Sequence, residues 1–270
     1  MWMTAWLIPG VILCALSPTR AAAAGPIKVG GTGAALRSMQ TLAEAFQASH
    51  SGATLAIVAG LGSRGGKRAL VAGELDMAVS ADPLKAEERE QGMVAQEYAR
   101  TPFVFVTAQT NPASAITLHE LIDVFHGKVT TWSDGRRLRL ILRPPGDSDT
   151  TTLKSISPAM RDAVIAAHAR PGLKMAVTDQ EAAEDVAAIP GALGTSRLAL
   201  IASERRPLKA LAVNGVVPSV GAIANGSYPY FKSLYVIIRP NPAPPVQQFI
   251  AFLRSATGRD ILFHLGQWVP

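Results

Sequence analysis

At 270 residues, with 48% hydrophobic and 6% aromatic side chains, the chain can bury a real core as one large domain or two lobes of ordinary size. Its Ala-, Gly- and Leu-rich composition suits alternating helices and strands better than an all-β sandwich. The formal charge of +6 is a mild excess, compatible with an anionic ligand. The basic residues cluster only in Arg64, Lys67 and Arg68, in Arg136, Arg137 and Arg139, and in Arg205 and Arg206, without interleaved aromatics, which argues against nucleic-acid binding.

The first residues read as a targeting segment. Trp6 to Leu16 is apolar, interrupted by Pro9 and Gly10, and Ala22-Ala23-Ala24 offers small residues for cleavage before Gly25. A cleaved signal peptide over residues 1–24, and hence a periplasmic protein, is the expectation. The lack of Lys or Arg before the apolar stretch keeps an uncleaved anchor as the competing reading. The single cysteine, Cys14, follows Leu13, so it lacks the small preceding residue of a lipoprotein box. Cleavage would leave no thiol, excluding disulfides, thiolate metal sites and a Cys nucleophile. It would also remove Arg20 and no acid, taking the charge from +6 to +5. Beyond this segment no run of about 18 apolar residues occurs, so the body is not expected to span a membrane.

Downstream, a short strand from Ile27 to Gly30 runs into Gly30-Gly31-Thr32-Gly33, and Leu36, Met39, Ala43 and Phe46 mark a helical stripe. Ala53 to Val58 predicts a strand. The glycine loop 60–66 and a helix to about Ala72 follow, then a strand from Leu75 to Ser80 ending at Ala81-Asp82-Pro83. Repeated strand, polar loop and helix imply a parallel sheet with ligand loops at the strand C-terminal ends. Phe103 to Thr107 and Leu138 to Leu142 predict strands, with a crossover near Asn111-Pro112. Thr117 to Glu120 and Thr178 to Glu181 read as capping boxes, Ser157-Pro158 as an N-cap and first helical residue, and a helix is expected to begin near Thr150. Strands at Leu208 to Val213 and Ser233 to Ile238, then helices over Pro245 to Leu265, close the chain.

Three polar loops, 30–35, 60–66 and 143–150, each join a strand to a helix. Helix starts leave backbone N–H groups unpaired and carry partial positive charge, so converging starts make an anion site. Thr32, Ser63, Ser148 and Thr150 supply hydroxyls, and Arg143 supplies a guanidinium fork.

The segments Val217-Pro218-Ser219, Ile223 to Tyr230 (with Asn225-Gly226-Ser227-Tyr228-Pro229) and Leu234-Tyr235-Val236 resemble a signature of the phosphate-binding proteins of bacterial ABC transporters. So do Leu121 to Lys128 with Trp132, and the tail from Phe249 to Gly266-Gln267-Trp268-Val269-Pro270. The similarity runs in order from about Ile27 to Pro270. It implies an α/β, two-lobed periplasmic-binding-protein-like fold with mixed sheets, flanking helices and two crossovers. Lobe one would hold 25–108 plus 225–270 and lobe two 109–224, the chain crossing near Thr107–Asn111 and Ile223–Tyr235. It further implies a monomer without cofactor or metal that carries phosphate or a related oxyanion to an ABC permease. The family's glycine-loop Ser matches Ser63 and its lobe-two Arg matches Arg143. Its following Ser and Thr match Ser148 and Thr150, and its first-loop Thr falls at Thr32 or, ungapped, at Gly33.

Two departures bear on the ligand. The family's proton-accepting Asp directly follows the third strand, whereas here Ala81 does and Asp82 comes one residue later. The usual Gly-Ser-Gly-Thr reads Asp147-Ser148-Asp149-Thr150. Carboxylates repel a dianion unless they accept a ligand proton or pair with Arg, so a protonated oxyanion or a different ligand is an open alternative.

Rival readings are weaker. Gly60-x-Gly62-x-x-Gly65 formally matches a dinucleotide fingerprint, but no ribose-binding acid ends the next strand, and Arg68 stands where a phosphate loop needs Ser or Thr. None of His50, His119, His126, His168 and His264 falls in the three loops, which counts against an enzyme. A phosphate-ester hydrolase and a stand-alone anion-sensing module remain the alternatives.

Overall fold

The structure, a computed structural model, describes residues 25–50 and 52–270. The expected signal segment with Cys14 lies outside them. β1 (Ile27–Gly31), α1 (Gly33–Ser49), β2 (Leu55–Val58), α2 (Gly62–Val71) and β3 (Met77–Ser80) alternate as the sequence predicts, and β1 pairs in parallel with β2 and β3. The stripe Leu36, Met39 and Phe46 packs with Val29, Met77 and Phe249 in one core. A backbone contact seats α2. Gly31 has φ +141°, a Cβ there would lie 1.9 Å from the Val79 carbonyl oxygen, and a Cβ on Gly66 would lie 2.7 Å from the Gly31 Cα. Only glycine permits that conformation and approach, which bring the start of α2 beside the turn into α1.

α3 (Ala86–Glu90) leads to β4 (Val94–Ala108), of which the sequence pattern revealed only the apolar second part. β5 (Ala115–Ile116), α4 (Leu118–His126), β6 (Arg139–Leu142), α5 (Ser148–Ile156), α6 (Pro158–Ala169), β7 (Lys174–Met175) and α7 (Asp179–Ala188) follow. Thr117 and Glu120 form the full capping box, and Ser157 caps α6 with Pro158 at its start. α5 begins at Ser148, two residues before the expected Thr150, because the Asp147 carboxylate accepts from the Asp149 N–H and caps the helix there. Thr178 caps α7, but Glu181 accepts from the Val177 N–H rather than completing a box on Thr178.

The remainder is β8 (Ala192–Arg197), α8 (Leu198–Glu204), β9 (Leu208–Ala210), β10 (Ala212–Val213), α9 (Val220–Ala224), β11 (Phe231–Ile238), α10 (Pro244–Leu253) and α11 (Ala256–His264). The single strand expected at Leu208 to Val213 is two, because β9 pairs with β4 and β10 with β5. Trp132 and Tyr228 are core residues. The Trp132 indole donates to the Gly191 carbonyl at 2.9 Å and the Tyr228 hydroxyl to the Phe103 carbonyl at 2.9 Å.

Among the described residues the main sheet runs β2-β1-β3-β11-β4-β8-β6-β7, with β9 also on β4. β4 joins its two parts: Val94 to Pro102 pair antiparallel with β11, and Phe103 to Val106 with β8. The cores change at the same place. Tyr98 and Ala99 belong with Val29 and Phe249, whereas Phe103 and Phe105 belong with Phe125, Leu140 and Tyr228. The returning chain passes alongside, with the Phe103 N–H donating to the Tyr230 carbonyl at 3.0 Å. Two cores joined by two adjacent strand segments leave a cleft between the starts of α1 and α2 on one side and of α5 and α7 on the other. No described helix is long and apolar enough to cross a membrane.

Candidate functional site

A cavity of about 220 Å³ fills this cleft. That is below the size of ordinary organic-ligand pockets, about 300–1,000 Å³, and suits a small ion. One wall is the two glycine loops, with Thr32, Gly33, Ser63, Arg64 and Asp82. The other is the 143–150 loop and the start of α7, with Arg143, Asp147, Ser148 and Asp179. Six of the seven expected residues therefore meet: Thr32, Gly33, Ser63, Asp82, Arg143 and Ser148. Thr150 does not line the cavity. It lies in the first turn of α5, buried, and its hydroxyl donates to the Arg143 carbonyl at 3.2 Å. It braces the arginine loop from beneath.

The hydroxyls are held by donors. Ser63 Oγ accepts from the Ala81 N–H at 3.1 Å and Ser148 Oγ from Arg197 Nη2 at 3.0 Å, so each keeps its own proton to offer a ligand. A serine nucleophile would instead need a base accepting that proton. Thr32 precedes α1 in extended conformation and its hydroxyl makes no capping bond. Asp82, although one residue late, still reaches the wall, because Ala81 is turned inward and buried and the Asp82 N–H bonds back to Ser80 Oγ at 3.0 Å.

The charges form a chain. Arg143, only 5% exposed, donates through Nη2 to Asp147 at 2.9 Å and Asp179 at 3.4 Å, and through Nη1 to the Ala176 carbonyl at 2.9 Å. Its buried Nε has no protein partner among the described residues. Arg197, 1% exposed, joins Asp179 at 2.7 Å and also bonds Asp149. Lys232 reaches Asp149 at 3.2 Å. Asp149 is thus a counter-ion beneath the wall and not a repulsive group in the cavity. Burial alone would raise its pKa, but Arg197, then Lys232 and Arg143, hold it well below the usual carboxylate range. Asp147 is pushed up by burial and by the neighbouring Asp149 charge, more than Arg143 and Arg197 offset. Burial, with Arg197 beside it, lowers Lys232.

Sequence reasoning missed Arg64, Asp179, Arg197 and Lys232 as site residues. Arg64 crosses from α2 to the opposite loop, where a Cβ on Gly146 would lie 2.9 Å from its Nη2. Its place beside Ser63 in a glycine loop was a usable signal. Asp179 read only as part of a helix cap. Arg197 and Lys232 carried no local signal. His168, on α6, is half-buried and places Nε2 2.9 Å from the Arg143 carbonyl, so it supports the loop from outside the cavity.

Comparison with known proteins gives the same frame. A curated phosphate-binding protein PstS from Borreliella burgdorferi is 24% identical over 200 residues, covering 70% of this chain and 71% of its own length. Protein SphX from Synechococcus elongatus is 28% identical over 246 residues, covering 82% and 70%. An ABC transporter substrate-binding protein from Clostridium perfringens, solved with bound phosphate, superposes with a TM-score of 0.79 at 19% identity, covering 91% of this chain and all of that one. The model of the PBP superfamily domain matches residues 16–257. With that match, and with two cores, one strand-linked sheet and a polar cleft between them, the chain belongs to the PBP superfamily.

Proposed function

We propose that the protein is an exported, periplasmic solute-binding protein that captures a small oxyanion, phosphate foremost, and presents it to an ABC permease. The observation that carries this reading is the meeting of helix starts from both sides, α1 and α2 against α5, around one ion-sized cavity that Arg143 enters. The name of the phosphate-binding protein PstS relative and the phosphate bound in the Clostridium perfringens structure support it. Thr32, Ser63 and the amides of the glycine loops hold the anion from one lobe, and Arg143 and Ser148 from the other. Closure removes water and strengthens each charge-assisted bond. The lobes divide, in this reading, where the cores change, at Pro102–Phe103 and near Tyr230. That is a few residues away from the 25–108 plus 225–270 and 109–224 division expected from the sequence. The protein acts as a monomer, without catalysis.

Three carboxylates, Asp82, Asp147 and Asp179, share the wall with the guanidiniums of Arg64 and Arg143. A partly protonated anion that can donate to a carboxylate suits this wall better than a fully ionised one. In a thermal-shift panel of phosphate, arsenate, sulfate, molybdate, tungstate and phosphonates, phosphate and arsenate are expected to stabilise the protein most. At one hundred times the dissociation constant the gain is about 2.7 kcal/mol, or roughly 5–10 °C. A shift with organic acids alone would overturn the oxyanion reading.

A further inference from the structure

A second polar concavity shares no lining residue with the ligand cavity. It is a groove of about 980 Å³ between α1, the end of α8 and the end of α11. Arg37 and Thr41 line it from α1, Ser203 to Arg206 from the end of α8, and His264 from α11. Its one acid, Glu204, is already engaged, accepting from Arg206 Nε at 2.7 Å and from Gln180 Nε2 at 2.9 Å. Arg206 also pairs with Glu184 at 3.1 Å, whereas Arg37 and Arg205 meet no carboxylate within ion-pair distance among the described residues. Two exposed guanidiniums from different elements thus line one groove without a counter-charge. Arg205 is held there at a conformational cost. It closes α8 with φ +51°, the left-handed position that favours glycine. Among the described non-glycine residues only Asn214 and Asn241 share a positive φ, and asparagine tolerates it. An arginine kept in such a position points to a use for its side chain. Beside it, the buried Ser203 hydroxyl has no hydrogen-bond partner among the described residues and is free to donate.

We propose that this groove is a second anion site and that it takes a short chain of linked phosphates. Phosphate oxygens match the planar guanidinium fork. The groove is far roomier than the ligand cavity, about 980 Å³ against about 220 Å³. A chain with charges spaced along it can meet both free guanidiniums at once, the second contact being helped by the first. Apart from His264 no aromatic ring lines the groove, so it offers no stacking platform for a nucleotide base. The carbonyl ends of α8 and α11 bring partial negative charge, which the arginines outweigh. The site stands independently of the oxyanion reading of the cleft.

Calorimetry with inorganic tripolyphosphate tests this on the purified protein. Binding is expected to persist in Arg143→Ala, which impairs the cleft. Arg37→Ala/Arg205→Gly is expected to weaken it at least about ten-fold. Glycine at 205 keeps the left-handed turn, and circular dichroism checks that the variant is folded. Arg137→Ala/Arg161→Ala, which removes two exposed arginines elsewhere, should leave the affinity unchanged. Equal weakening by the two double variants would mean attraction to net charge alone and overturns the site. So does a wild type that gives no heat with tripolyphosphate. Heat lost in Arg143→Ala but kept in the groove variant places the ligand in the cleft and overturns it too. Citrate or a hexaglutamate peptide binding the groove as tightly as tripolyphosphate overturns the phosphate class. Because the groove is read with tripolyphosphate in Arg143→Ala, a cleft that fails to bind phosphate leaves this test intact.

Discussion

Asp149→Ala is expected to destabilise the protein by about 3–5 kcal/mol, because removing one member of a buried ion cluster strands the others. Asp149 is 1% exposed and lies between Arg197 and Lys232, which are 1% and 3% exposed at their side chains. It also accepts from Thr195 Oγ1 at 3.0 Å. Arg197 keeps Asp179 and Ser148 as partners. Lys232 loses the only carboxylate within ion-pair distance among the described residues, and two buried cations then face each other. Urea unfolding at neutral pH checks this: the midpoint should fall at unchanged slope. A loss below about 1 kcal/mol would contradict it. Adding Lys232→Met, which removes the stranded charge at similar volume, should recover part of the loss. The pH dependence has a definite sign. Asp149 is held below its unfolded pKa of about 3.9, so its contribution is present above that pH and is lost as pH falls toward the depressed folded value. The variant should lack that part of the acid-induced loss.

Arg143→Ala is expected to weaken phosphate binding by about 2–5 kcal/mol, at least ~30-fold in Kd. It removes the fork and its buried Nε, and it leaves Asp147 and Asp179 facing the anion without their shared cation. The fold should survive, because Asp179 retains Arg197 at 2.7 Å and Asp147, 20% exposed at its side chain, can hydrate. Arg143→Lys should fall between, keeping a charge but not the planar fork. Calorimetry measures the affinity and urea unfolding the stability. Wild-type affinity in Arg143→Ala would remove this residue from the site.

Much of the architecture is legible in the sequence where its determinants are local. The stripe Leu36 to Phe46, the box Thr117–Glu120 and the pair Ser157-Pro158 mark helices because side-chain periodicity and capping act within a few residues. The glycine loops are legible because Gly31 must take a positive φ. β8 was not seen, since Ala-Leu-Gly-Thr-Ser-Arg lacks any β-branched or aromatic run, yet all six of its residues are buried. Arg197 can sit there only because Asp149, 48 residues away, and Asp179, 18 away, neutralise it. The first part of β4 was hidden by the polar Gln96, Glu97 and Arg100, which are only half-buried. The candidate site shows the same division. The residues matched by loop chemistry, Thr32, Ser63, Arg143 and Ser148, reached the cavity. Thr150 did not, because an earlier helix start turns it beneath the loop. Asp179 opens α7 directly after the Thr178 cap, as the sequence suggests, but its bond from the Ala34 N–H involves α1, 145 residues away.

An amide-resolved NMR titration of the purified protein with phosphate tests the convergence of the two lobes most directly. The N–H groups of Thr32 to Ala34, of Ser63 and Arg64, and of Ser148 to Thr150 should shift together and saturate with one dissociation constant at a one-to-one ratio. Saturable shifts confined to the loops of a single lobe would contradict it.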